Sequence, residues 1–229
     1  AAQNNHSEAQ YTLGYLYLQG NMIQQNIEKS IYYLKKASSN NNVKAQFLLG
    51  KIYFDGEYIQ CNDILAEKYL SLASQKQFAD AQFLLGVFYI DKDIKKSITY
   101  LSQASEQKHS NAQYYLGMIY YTGIYTPIDF KKSFNYFLKS ADQKNPDSLF
   151  MLGGIYLEGK YVKREIKKSI SYLRSAVNSN HPFAINYIGM IYYIGLDVPK
   201  DISKALYYFS QSKKNDNIVS LILGFNYYE

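Results

Sequence analysis

The chain has 229 residues and a formal net charge of +6, with 26 Tyr and 12 Phe but no Trp, 4 Pro and one Cys. At 47% hydrophobic and 19% charged residues, a disordered or collagen-like chain is excluded, and one cysteine excludes an intrachain disulfide or a cysteine-rich zinc site. The positive charge is nearly all lysine, Arg164 and Arg174 being the exceptions, which disfavours nucleic-acid reading, where arginine's rigid fork is preferred.

Taken in chain order, the sequence repeats itself. Residues 7–42 begin with a helical stripe of Ala9, Leu13, Gly14 and Tyr17, closed by Gly20. A second helix follows, opened by Asn26 and bearing Ser30, Tyr33, Leu34 and Ala37 on one face. Residues 43–78 repeat this with Leu49, Gly50, Tyr53 and Gly56, then Asn62, Ala66, Tyr69, Leu70 and Ala73. Residues 79–109 carry Leu85, Gly86 and Tyr89 but no closing glycine, Asp93 following almost at once; a tight turn is predicted there, ahead of Ser97, Tyr100, Leu101 and Ala104. The pattern returns in 110–145, 146–181 and 182–216, marked by Gly117, Gly153 and Gly189, with caps at Asp129, Glu165 and Asp201, Glu165 being the poorer residue for that place. A lone first helix is expected from Asn217, carrying Leu223, Gly224 and Tyr227.

The marker glycines are spaced 36, 36, 31, 36, 36 and 35 apart, and each has Tyr three residues later. Small, Tyr, Leu, small at i, i+3, i+4 and i+7 is one face of a helix. Two helices per unit cannot bury their faces alone, so the expected fold is all-α, a right-handed α/α superhelix (solenoid) of about six helix-turn-helix repeats plus a final unpaired helix, forming a single domain over 1–229. The thirteen tyrosines at marker positions are read as core. Between units, where the chain needs a left-handed residue, stand Asn5, Asn41, Gln77, Lys108, Lys144 and Asn180.

This succession resembles the Sel-one-like repeat, a relative of the tetratricopeptide repeat, over nearly the whole chain. The resemblance implies a non-catalytic scaffold or adaptor that binds a protein or peptide partner on its concave face, with no cofactor. An RNA-binding helical repeat is the alternative, and a β-lactam-binding relative a weaker one. Ser105 with Lys108 and Ser210 with Lys213 fit an S-x-x-K spacing without its companion motifs. The paired cysteines of the β-lactam-binding subgroup are missing.

At about 100° per residue, positions three before, one after and four after each marker glycine face away from the partner helix. They include Tyr11, Tyr15, Phe47, Phe54, Phe83, Tyr114, Met118, Tyr121, Phe150, Met190 and Tyr193, with Tyr228 at the end. This face is either a groove for a partner segment or a surface buried between units. Lys95-Lys96, Lys131-Lys132 and Lys167-Lys168 recur 36 residues apart as a basic edge, a solvated face or a dock for an acidic partner or an anionic membrane. His6, His109 and His181 recur in the turns between units and read as structural, Cys61 as a lone thiol; no catalytic or metal-binding set is expected. Leu221, Leu223 and Phe225 have no covering helix in this pattern, so end-to-end self-association is an expectation.

Overall fold

The computed structural model describes residues 2–212. Among them lie twelve α-helices and no strand: α1 (Ala2–Gln19), α2 (Ile27–Ser39), α3 (Val43–Asp55), α4 (Asp63–Gln75), α5 (Ala79–Tyr89), α6 (Ile94–Glu106), α7 (Ser110–Thr122), α8 (Phe130–Asp142), α9 (Pro146–Glu158), α10 (Ile166–Asn178), α11 (Ala184–Ile194) and α12 (Ile202–Ser210). The expected helix from Asn217, with Leu221, Gly224, Phe225, Tyr227 and Tyr228, lies outside the described residues. Two compact units divide the chain, Ala1–Ala112 and Gln113–Glu229.

In the first unit α1 packs on α2, α3 on α4 and α5 on α6, while α2 meets α3 and α4 meets α5. The second unit repeats the scheme with α8 on α9, α9 on α10, α10 on α11 and α11 on α12. Within each unit these successive helices pack on one another, as solenoid repeats do.

The marker glycine sets how closely each pair packs. A Cβ on Gly86 would stand 2.5 Å from Leu101 Cγ, and one on Gly153 would stand 2.7 Å from Leu173 Cγ. No side chain fits there, so the leucine of the second helix lies directly on the first helix's backbone. Leu34, Leu70, Leu101, Phe137 and Leu173 are fully buried as a result, each contributing about 1.5–3 kcal/mol. The small residues beside them finish the seam: Ser97 Oγ donates to the Gly86 carbonyl and Ser169 Oγ to that of Gly153, both at 2.7 Å.

The helix ends follow from single residues. Gly20, Gly56, Gly123, Gly159 and Gly195 take φ between 67° and 76°, the left-handed conformation that ends a helix. Asn26, Asn62, Asp93, Asp129 and Asp201 accept backbone N–H groups of the following turn, whereas Glu165 makes no such bond. The third repeat turns tightly, the Asp93 N–H donating to the Tyr89 carbonyl at 2.8 Å. Asn41, Gln77, Lys108, Lys144 and Asn180 take φ of 59–64° between repeats.

Three expectations need correction. Asn5 lies inside α1, not in a left-handed turn. Ala9 is exposed and Leu13 half-buried, because the matching residues Ala45 and Leu49 are covered by the preceding α2 and no helix precedes α1 among the described residues. The repeated tyrosines are not uniformly core. Tyr53 and Tyr89 are buried, but Tyr17, Tyr120, Tyr156 and Tyr192 and all six second-helix partners are half-buried. Within each repeat they stack as a parallel pair: Tyr17 on Tyr33 at 5.9 Å, Tyr120 on Tyr136 at 6.1 Å, Tyr156 on Tyr172 at 5.7 Å and Tyr192 on Tyr208 at 5.8 Å. A tyrosine serves here because its ring packs while its hydroxyl reaches water.

Candidate functional site

The apolar face expected on the first helices is real but half-covered. In the first unit Phe47 packs against Phe78 at 5.1 Å, Phe54 against Phe88 at 6.3 Å and Phe83 on His109 at 4.6 Å. Tyr11 is half-buried beside Tyr15, which is 42% exposed. Burial raises the pKa of the Tyr11 hydroxyl, with Lys44 opposing the shift. In the second unit Tyr114 and Tyr121 lean on Phe137, each at 6.1 Å, and burial raises both hydroxyl pKa values. Met118 packs against the same core, while Met190 and Tyr193 pack against Phe209 and Ala205. Each repeat thus covers one side of its neighbour's rings, and only part of the face remains open.

One opening on this face is a cleft in the second unit. A cavity of about 670 Å³ lies between α9 and α11, lined by Phe150, Leu157, Tyr187, Met190, Ile194 and Phe209 among others. Asn186 and the Tyr187 hydroxyl are the polar side-chain groups in its lining. At the rim Phe183 is 38% exposed, Tyr187 42% and Ile194 57%. Phe150 forms part of the wall, held by stacking on His181 at 4.1 Å and edge-on against Tyr187 at 4.8 Å.

Of the face positions expected from sequence, Phe150, Leu157, Asn186 and Met190 line this cleft; Phe183, Tyr187 and Ile194 were missed. A signal for two of them exists. Six residues before the marker glycine the other repeats carry Glu8, Lys44, Asp80, Asn111 and Asp147, and here Phe183. Five after it they carry Gln19, Asp55, Asp91, Thr122 and Glu158, and here Ile194. Two positions polar in five repeats are apolar in the sixth.

The Sel1 repeat family model matches residues 7–42, 43–78, 79–109, 110–145, 146–181 and 182–217. The chain belongs to the Sel1 repeat family. Among solved structures it is similar to a protective antigen of uropathogenic Escherichia coli strains that displays an SLR fold, with 27% identity and a TM-score of 0.88 over 98% of this chain and 49% of that one. It is also similar to a Sel1 repeat protein from Oxalobacter formigenes, with 23% identity and a TM-score of 0.86 over 95% of this chain and 65% of that one. An immunity protein from Pseudomonas aeruginosa shares the fold at 16% identity and a TM-score of 0.57, over 89% of this chain and 80% of that one. The chain therefore spans about half the length of the first of these proteins. No curated protein matches it significantly by sequence. Sel1 repeat proteins are generally protein-interaction scaffolds without catalytic activity.

Within these Sel1 repeats His109 and His181 stand at the repeat position that caps α3 and α9. It is occupied by Asn42, His109, Asn145 and His181, and Asn42 and Asn145 accept backbone N–H groups of Ala45 and Ser148 through their side chains. His109 Nδ1 accepts the Ala112 N–H at 3.1 Å while Nε2 faces Asp80 Oδ1 at 3.1 Å. His181 Nδ1 accepts the Phe183 N–H at 3.3 Å. Burial pushes the His181 pKa down, and Asp147, 3.6 Å away, partly opposes it. His6 is exposed on α1. Cys61 is exposed, its Sγ 3.6 Å from the Phe54 carbonyl oxygen. No group of three or more His, Cys, Asp or Glu able to hold a metal occurs among the described residues, and no helix among them is long and apolar enough to cross a membrane. Lys108 of the S-x-x-K match occupies the left-handed turn.

The basic edge resolves into two sets. Lys96, Lys132 and Lys168 lie over the marker tyrosines Tyr89, Tyr120 and Tyr156 at 4.8, 5.2 and 5.3 Å. Lys132 and Lys168 also pair with the caps Asp129 and Glu165 at 3.1 and 2.9 Å. Lys29 and Lys204 take the same place over Tyr17 and Tyr192. This lysine belongs to the repeat, a cation over a ring face. Lys95, Lys131 and Lys167 are exposed beside it.

Proposed function

We propose that the chain is a non-catalytic protein-interaction scaffold that takes an apolar segment of a partner polypeptide into the cleft between α9 and α11. The observation that carries this reading is the exposure of Phe183 and Ile194 at positions that are polar in the other five repeats. Leaving such side chains in water forgoes the burial that would stabilise the fold, and open apolar surface of this kind marks contact sites. The walls favour a peptide over RNA. Apart from Asn186 and the Tyr187 hydroxyl their side chains are apolar, and neither lysine nor arginine lines them, whereas an RNA groove needs cations for phosphate and polar groups for base edges. Tyr11, Phe47, Phe54, Phe83, Tyr114, Met118, Tyr121 and Tyr193 support the face by fixing the first helices, while Tyr15 is left exposed.

Panning a displayed random-peptide library on the chain tests the reading. Enrichment of peptides with apolar residues at helical or alternating spacing is expected, with affinity falling at least about tenfold in Ile194→Lys and in Phe183→Lys. Enriched peptides that bind both variants as well as the parent chain would refute it.

A further inference from the structure

We propose that the turn edge of the second unit, formed by residues 123–132 and 159–168, docks on an anionic phospholipid surface. The inference does not rest on the cleft. Between α7 and α8 the turn carries Ile124 at 73% exposure, Ile128 at 56% and Tyr125 at 39%, and between α9 and α10 it carries Tyr161 at 38%. The two turns are neighbours, since Tyr161 stacks on Phe130 at the start of α8 with ring centres 4.3 Å apart. None of these four exposed residues lines the cleft.

The cations of this edge differ in their ties, and Lys160 lies over the Tyr161 ring at 5.0 Å. Lys132 and Lys168 are tied to Asp129 and Glu165, and Arg164 to Asp197 at 2.9 Å. Lys131, Lys163 and Lys167 are exposed and enter no ion pair among the described residues. Uncompensated lysines therefore flank isolated apolar side chains. The first unit supplies a contrast: Met22 is 82% and Ile64 81% exposed in the matching region, but their surroundings carry Glu28, Glu57 and Asp63, and Lys92 is spent on Asp63 at 2.6 Å. The same exposure with the opposite charge does not suit an anionic surface.

Lipid is favoured over an acidic protein by the form of the apolar groups. Separate aliphatic and tyrosine tips on turns suit the boundary between headgroups and acyl chains, where the tips enter the apolar layer and long lysines reach phosphate. A protein partner would need a continuous apolar patch that both surfaces can keep dry. Each lysine near an anionic surface is worth about fivefold in partitioning, so three together supply about 100-fold.

Co-sedimentation of the full 229-residue chain with vesicles of phosphatidylcholine alone, or with 30% phosphatidylserine at roughly 0.1 M salt, tests the proposal. Binding to the anionic vesicles only, weakening as salt rises, is expected. The triple variant Lys131→Glu, Lys163→Glu, Lys167→Glu should lower partitioning at least about 100-fold, and Ile124→Ser with Ile128→Ser at least about tenfold. Lys95→Glu should leave it unchanged. The altered side chains are exposed, and an unaltered far-ultraviolet circular dichroism spectrum confirms that each variant folds. Failure to bind anionic vesicles even at low salt would overturn the proposal. So would loss on lysine reversal without loss on isoleucine replacement, which marks an acidic-polymer site that never meets the acyl layer.

Discussion

Adjacent glycines on α9 give opposite expectations. Gly153 faces Leu173, where a Cβ would stand 2.7 Å from both Cγ and Cδ2, while a Cβ on Gly154 meets nothing within 4 Å. Both lie inside a helix, so replacement by alanine gains about 1 kcal/mol of helix propensity at either position. At Gly154 that gain stands alone, and Gly154→Ala should stabilise the chain by about 1 kcal/mol. At Gly153 overpacking costs about 1–3 kcal/mol, because Leu173 is fully buried and has no room to retreat. The two variants should therefore differ by about 1–3 kcal/mol, with Gly153→Ala the less stable. Urea unfolding followed by circular dichroism reads the difference directly. In a Leu173→Ala background, itself costing about 2–5 kcal/mol, the contact is gone and the two alanines should become equivalent. Equal midpoints for Gly153→Ala and Gly154→Ala in the parent chain would refute the close approach of first and second helix on which every repeat is built.

Other expectations follow from single residues. Glu165 caps α10 without a side-chain bond, so Glu165→Asp should raise stability by about 0.5–1 kcal/mol in the same unfolding assay. Lys108 sits at φ 63°, and Lys108→Gly should relieve about 1 kcal/mol of left-handed strain. The folded pKa of His181 lies below its unfolded value because burial disfavours the charged ring. The unfolded chain therefore binds the proton more readily, and the contribution of neutral His181 is present above about pH 6.5 and lost as pH falls toward the folded value. Thermal melts at pH 7.5 and 5.5 should show this loss, and His181→Asn, which restores the residue found at Asn42 and Asn145, should reduce it.

Much of the fold was legible because the repeat states its constraints several times over. One glycine would be weak evidence; a Leu-Gly or Ile-Gly pair with Tyr three residues on, recurring at nearly constant spacing, defines a helix face. Asn41, Gln77, Lys108, Lys144 and Asn180 were legible as left-handed residues for the same reason. Spacing did not reveal how near the next helix comes. It assigned Tyr17 and Tyr120 to a face, but only the packing shows them half-buried in stacked pairs, with Lys29 and Lys132 above. The cleft was hidden for a related reason. A stripe common to all repeats describes what they share, whereas Phe183 and Ile194 matter because they depart from it. Comparing each repeat with the other five, position by position, would have exposed both.

Hydrogen exchange of the chain, with and without a library-selected apolar peptide, tests the interaction surface most directly. Slower exchange confined to α9, α11 and the turn through Leu196 is expected, and it should vanish in Ile194→Lys. Protection that leaves α11 untouched would contradict the assignment.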